Sequence, residues 1–229
     1  MNKKFLSFVL TAALFVPGCG KSQSAENAAP PAAAITGPAA PAMEPAKNTG
    51  AKPFKGGPFR TFPLYTDAKS PDNHYVPSGW MGDYGDLKLD DKYMKDCHSG
   101  STCVQIVYNG KAAQGARWSG IYWQNPPNNW GTRPGGYDLT GAKKLSFWAR
   151  GDKGGERIEE FKIGGITGEY ADSDVAGIGP VVLTPEWKQY TIDLEGKDLS
   201  SISGGFCWAT NIDANPEGAT FYLDDIKYE

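Results

Sequence analysis

Trp118, Gly120, Tyr122 and Gln124 fall on alternate positions of one short run, and Ser146, Trp148 and Arg150 do so in another. Alternate residues of a strand share a face, so each run would set aromatic rings and hydrogen-bonding groups side by side. The intervening sets, Ile121 with Trp123 and Leu145 with Phe147 and Ala149, are apolar and are assigned to the core. A one-residue bulge would exchange the two faces of the first run, so the opposite assignment stays open there. Indole and phenol rings supply wide, flat contact area, while Arg and Gln supply hydrogen bonds of fixed direction. Together they suit a ligand with both an apolar face and hydroxyl groups. Trp118, Tyr122, Gln124, Trp148 and Arg150 would form one platform if their strands are neighbours. Trp130, in the loop Asn125–Gly131, and Trp80, in the loop Pro77–Asp83, join the candidate ligand-binding set. Each is either folded back over the core or presented to a ligand.

Patterns that would support catalysis are weaker. Glycoside hydrolysis uses two carboxyl groups set at a defined separation. Glu159 and Glu160 would point to opposite faces of a strand, which leaves Glu160 with Glu169 or Asp172 as a pair to test. His74 and His98 both sit in turn-like surroundings, and no nucleophile elbow, zinc-protease helix or phosphate-cradling loop is present. No catalytic residue is assigned.

The elements that would carry these residues are short. Strand signals recur over 102–108, 118–124, 144–150, 158–163, 188–194, 206–210 and 220–228, with Gly, Pro, Asn and Asp clusters between them and no long helical period. This spacing predicts an all-β fold, an antiparallel two-sheet β-sandwich or jelly roll, over 58–229. Trp187 and Trp208 read as packing residues. Cys97 and Cys103 flank a turn-like segment within bridging reach, so a structural disulfide is expected outside the cytoplasm. Cys207 is left as a buried thiol.

Four segments together resemble the jelly-roll carbohydrate-binding modules that accompany polysaccharide-degrading enzymes: His98–Ser101, Leu145–Gly151, Trp187–Leu194 and Phe221–Ile226. Their order and spacing span nearly all of the globular segment. The resemblance implies binding of an oligosaccharide or polysaccharide, whose rings offer the C–H face and hydroxyl rim that the aromatic and polar set would take. It also implies a structural calcium ion, with Asp224 carried over as a ligand and Asp67 as a second carboxylate. A glycan hydrolase or lyase on the same scaffold, or a structural envelope lipoprotein, are the alternatives.

The N-terminal region predicts where such a protein works. Lys3 and Lys4, an apolar run from Phe5 to Val16, and Pro17-Gly18-Cys19 have the layout of a bacterial secretory signal. That layout resembles lipoprotein signals, which implies removal of 1–18, lipid on Cys19 and anchoring in the cell envelope, Gly20 favouring the outer membrane. The run is too short to span a bilayer. Residues 19–57, rich in Ala and Pro, would be a disordered tether. Loss of Lys3 and Lys4 takes the net charge from −3 to −5. With no basic cluster, nucleic acid is excluded as an expected partner. The head domain is expected to be monomeric.

Overall fold

The computed structural model describes residues 58–229; the expected signal segment, Cys19 and the tether lie outside the described residues. The strands are β1 (Phe62–Tyr65), β2 (Val76–Gly82), β3 (Leu87–Tyr93), β4 (Cys103–Tyr108), β5 (Trp118–Gln124), β6 (Lys144–Gly151), β7 (Arg157–Ile158), β8 (Glu160–Gly164), β9 (Val175–Ile178), β10 (Val181–Val182), β11 (Lys188–Asp193), β12 (Gly204–Asn211) and β13 (Ala219–Tyr228). One sheet runs β11-β6-β13-β4-β3 with β1 also paired to β13, a second runs β2-β5-β12-β8-β9, and β10 pairs with β7. All pairings are antiparallel. The expected two-sheet antiparallel sandwich is the fold that forms.

Alternation places the core. Leu145, Phe147 and Ala149 of β6 are buried, as are Ile121 and Trp123 of β5. Rings from the two sheets then meet: Phe147 lies 4.7 Å from Phe161 and 5.1 Å from Phe206, and Trp208 meets Phe221 edge-on at 4.9 Å. Each such pair adds about 0.5–1.5 kcal/mol beyond the area it buries. Trp208 is therefore a packing residue, as expected, and Cys207 is a buried thiol whose pKa burial pushes far up.

Three sequence expectations need correction. Residues 77–82 are not a loop: they belong to β2, an edge strand that tolerates Pro77 through a register shift between Pro77 and Gly79. The run 158–163 is two strands, because Ile158 pairs with Val181 and Glu160 with Ala209, and the chain changes partners at Glu159. Most consequential, β5 and β6 lie in different sheets, so the five-residue platform does not exist as a unit.

The entry into β5 is fixed by two buried acids around the single 3-10 turn Tyr84–Asp86. Asp83 accepts the N–H groups of Gln114 (2.7 Å), Ala116 (2.9 Å) and Arg117 (2.6 Å), and Asp86 accepts those of Lys111 (2.8 Å) and Ala113 (3.4 Å). Both carboxylates are buried, so these backbone donors replace the water they have lost. The loop they gather ends at Arg117, which takes φ +67° just before Trp118. Asp83→Asn presents an amide hydrogen to those donors and should cost about 1.5–3 kcal/mol in denaturant unfolding. Amide exchange at Gln114, Ala116 and Arg117 should quicken in the same variant.

Candidate functional site

The outward face of the five-stranded sheet combines exposed rings with a floor of small residues. Across the sheet, Trp118 of β5 sits opposite Asn211 of β12; Gly120 sits opposite Ala209, which sits opposite Glu160 of β8; and Tyr122 sits opposite Cys207, which sits opposite Lys162. Gly120 and Ala209 carry no tall side chain of their own, and the Met81 methyl lies over Gly120. Trp118 at one margin and Trp130 at another are each 41% exposed, although large apolar rings are normally withdrawn from water. Arg117 and Asp213 form an ion pair of 2.6 Å next to Trp118, and Lys162 bonds Glu160 at 2.8 Å on the far side of the floor. Met81 of β2, opposite Gly120, packs against Tyr122 and Cys207, and Tyr170, between β8 and β9, is 38% exposed.

Trp130 is held in place from below. Gln124 is wholly buried: its Nε2 donates to Asn129 O at 3.0 Å, and its Oε1 accepts from Ser78 Oγ, also at 3.0 Å. Ser78 Oγ in turn accepts from Asn128 N, and Asn129 Nδ2 donates to Arg133 O. The Trp130 ring then rests edge-on over Tyr122, centroids 5.9 Å apart at 88°. Tyr122 is buried beneath it, its hydroxyl donating to Gly164 O, and burial pushes its pKa far above the usual phenol value. Gln124 and Tyr122 thus do not present a contact surface, as the sequence led one to expect; they carry the residue that does. The neighbouring loop is tied down by Asp172, which accepts N–H from Ile166, Ser203 and Gly204. Burial raises the pKa of that carboxyl despite these bonds.

Trp80 also departs from expectation. Its partner in register is Ile121, it packs against the main core, and its Nε1 donates to Pro77 O. Of the two alternatives for this ring, the covered one is what forms.

Trp148 and Arg150 point outward from the other sheet. There the imidazole of His98 stacks on Trp148 (3.7 Å, 17°), while the Arg150 guanidinium lies 3.9 Å from the Tyr222 ring and 5.4 Å from that of Trp187. Trp187, expected to be packing, is half-buried with its Nε1 donating to Asp96 O. The loop bearing His98 is closed by a Cys97–Cys103 disulfide, Cα atoms 5.4 Å apart.

The two acids expected to hold calcium serve the same loop from different sides. Asp67 Oδ1 accepts the N–H and hydroxyl of both Ser101 and Thr102, which removes it from a shared ion site. Asp224 is buried, accepts from Ser99 N and Asp225 N, and lies with Asp225 and His98 so that one donor atom from each falls within 4.8 Å of the others. Burial is the main cause of the rise in its pKa to about 6. Two adjacent carboxylates in a dry setting fit a hard cation, but calcium takes six to eight oxygens, and Asp67 does not contribute here.

The carboxylates near the five-stranded face are engaged. Glu159 bonds Arg157, Glu160 bonds Lys162, and Asp172 accepts backbone N–H groups, while Glu169 is exposed in the loop after β8. His74 stacks on Phe62 and bonds Pro63 O.

No protein-family model and no curated protein matches the chain. Solved structures do. A family 30 carbohydrate-binding module aligns with 74% of this chain and 87% of its own at 17% identity and a TM-score of 0.51. Another structure of that description aligns with 74% of this chain and 98% of its own, at 17% identity and a TM-score of 0.50. The fold is shared with carbohydrate-binding modules. At this identity the likeness concerns the backbone architecture and leaves side-chain roles to the geometry above.

Removing the strut should separate position from presence: Gln124→Ala strands the Asn129 carbonyl and Ser78 hydroxyl, costs about 1–3 kcal/mol, and should shift Trp130 fluorescence with the sandwich intact. Asp67 offers a test in pH. The Thr102 hydroxyl, first among its hydrogen-bond donors, holds its pKa below the ordinary value. A carboxyl lowered in the folded state stabilises above its unfolded pKa of about 3.9 and loses that effect as pH falls through the folded one. Asp67→Asn should therefore lower Tm at pH 7, with the gap closing in melts taken below about pH 4.

Proposed function

We propose that this protein is a non-catalytic, lipid-anchored carbohydrate-binding protein of the cell envelope, and that its binding surface is the outward face of the five-stranded sheet. One observation carries the reading: Trp118 and Trp130 stay 41% exposed beside a floor formed by Ala209 and by the Met81 methyl lying over Gly120. A sugar ring laid there would place its C–H face on indole and its hydroxyls within reach of Asn211, Lys162 and Glu160. The bases for stacking and for directional hydrogen bonds are thus both present in one trough. The engaged state of the nearby carboxylates favours binding over cleavage, and the shared fold of carbohydrate-binding modules supports the same direction.

In this proposal the head is monomeric, Cys19 carries the lipid, 19–57 is the spacer, and the outer membrane is the favoured location. Weak single contacts then gain from display of many heads on one surface. A structural calcium is held by the oxygens of Asp224 and Asp225; its contribution is to the stability of the His98 loop.

Trp118→Ala and Trp130→Ala should each weaken binding to a responsive polysaccharide by about 1–2 kcal/mol, judged from aromatic contact magnitudes, with Tm unchanged. Calorimetric titration against a panel of β-glucans, xylan and mannan provides the readout; wild-type silence across the panel, or variants indistinguishable from it, would count against the trough. For the anchor, Cys19→Ala should move the protein from detergent to aqueous phase on phase partition. For the ion, millimolar calcium should raise Tm over a chelator control, and Asp224→Asn should abolish that rise.

A further inference from the structure

We propose that the outward face of the six-stranded sheet is a second docking site, selective for carboxylate-bearing sugars, with the guanidinium of Arg150 as its anchor. This site is independent of the trough, which lies on the opposite sheet.

The argument starts from an unusual cation. Arg150 has five N–H donors, yet its only hydrogen bond is a long one from Nη1 to Gly151 O, 3.4 Å. Its Nε is buried without a partner, and none of the described carboxylates forms an ion pair with it. What fixes it is aromatic: the Tyr222 ring at 3.9 Å and the Trp187 ring at 5.4 Å. Both neighbours are themselves pinned, Tyr222 by its hydroxyl bond to Asp152 (2.9 Å) and Trp187 by its bond to Asp96 O (2.8 Å). A guanidinium so clamped has already lost much of its rotamer freedom. It is planar, permanently charged and prepared for two parallel hydrogen bonds to an oxyanion.

The surroundings select among anions. Gln105 lies opposite Tyr222 in the sheet and donates to its hydroxyl, and Gln189 lies opposite Trp148, so amide groups suited to sugar hydroxyls extend from the cation in both directions. Tyr93, half-buried, packs against the covered ring of Tyr222 at 5.1 Å and supplies the accessible aromatic edge there. Asp152 stands two residues from Arg150, and its negative charge penalises a doubly charged phosphate more than a singly charged carboxylate. A uronic acid residue within a polysaccharide has the single charge, the hydroxyls and the ring face that this arrangement accommodates.

The test uses the full-length protein and two polymers that differ only in charge, polygalacturonate and its fully methyl-esterified form, compared by calorimetry at low salt. Wild type should bind the acid at least tenfold more tightly than the ester. Arg150→Gln should remove that preference, and Arg150→Lys, which keeps the cation but not the fork, should lose most of it. Trp118→Ala should leave it intact, which separates this site from the trough. Should Arg150→Gln fail to fold, Arg150→Lys carries the comparison. Equal affinity for acid and ester overturns the proposal, as does a preference that survives in Arg150→Lys or disappears in Trp118→Ala. Saturable binding of an acidic peptide without any of polygalacturonate also overturns it, in favour of a protein partner.

Discussion

Buried and half-buried side-chain acceptors that gather backbone N–H groups are the constraint on which the rest of this structure depends. A sandwich of short strands leaves much of its chain in loops, and loops carry donors that no ladder satisfies. Asp83 and Asp86 collect those of the segment before β5, Asp172 those around Ser203 and Gly204, and Asp67 those of Ser101 and Thr102. Gln124, the uncharged member of the set, does the same work for the loop that bears Trp130. Each acceptor is expensive to desolvate unless fully engaged, so each fixes one conformation of one loop. Trp130 is presented by a loop fixed in this way, and Trp118 by a strand whose entry is fixed in this way.

The second constraint is the pleat. Because side chains alternate, a strand that feeds the core with Leu145, Phe147 and Ala149 must send Trp148 and Arg150 the other way, and β5 must do likewise with Tyr122 and Gln124. Two sheets packed on one core therefore have outward faces directed apart. Aromatic residues that look interchangeable in the chain end up on surfaces that never meet. His98 covers Trp148 on one of them, while Trp118 stays open on the other.

This explains what was legible in the sequence. Strands β4, β5, β6, β11, β12 and β13 could be read because their alternation is strong and their boundaries are marked by turn residues. β2 could not, since Pro77 and Gly79 interrupt it and only its edge position makes them acceptable. The faces of β5 were read correctly, but sheet membership is a long-range property that no local pattern encodes, so the combined platform was an error of topology. Lys162 was available to inspection, alternating with Phe161 and Ile163, yet its partnership with the trough depends on β8 pairing with β12. Gln124 and Tyr122 have the right chemistry for a ligand and are buried because the loop bearing Trp130, with β2 and Ile166, folds over them.

The stacking of His98 on Trp148, with the Cys97–Cys103 bridge closing the same loop, has a consequence for where the protein can mature. The loop is fastened by covalent, hydrogen-bonded and π contacts within a few residues. Synthesis in a reducing compartment would leave the stack on Trp148 and the bonds to Asp224 and Asp225 to hold the loop beside Asp224 without its covalent closure.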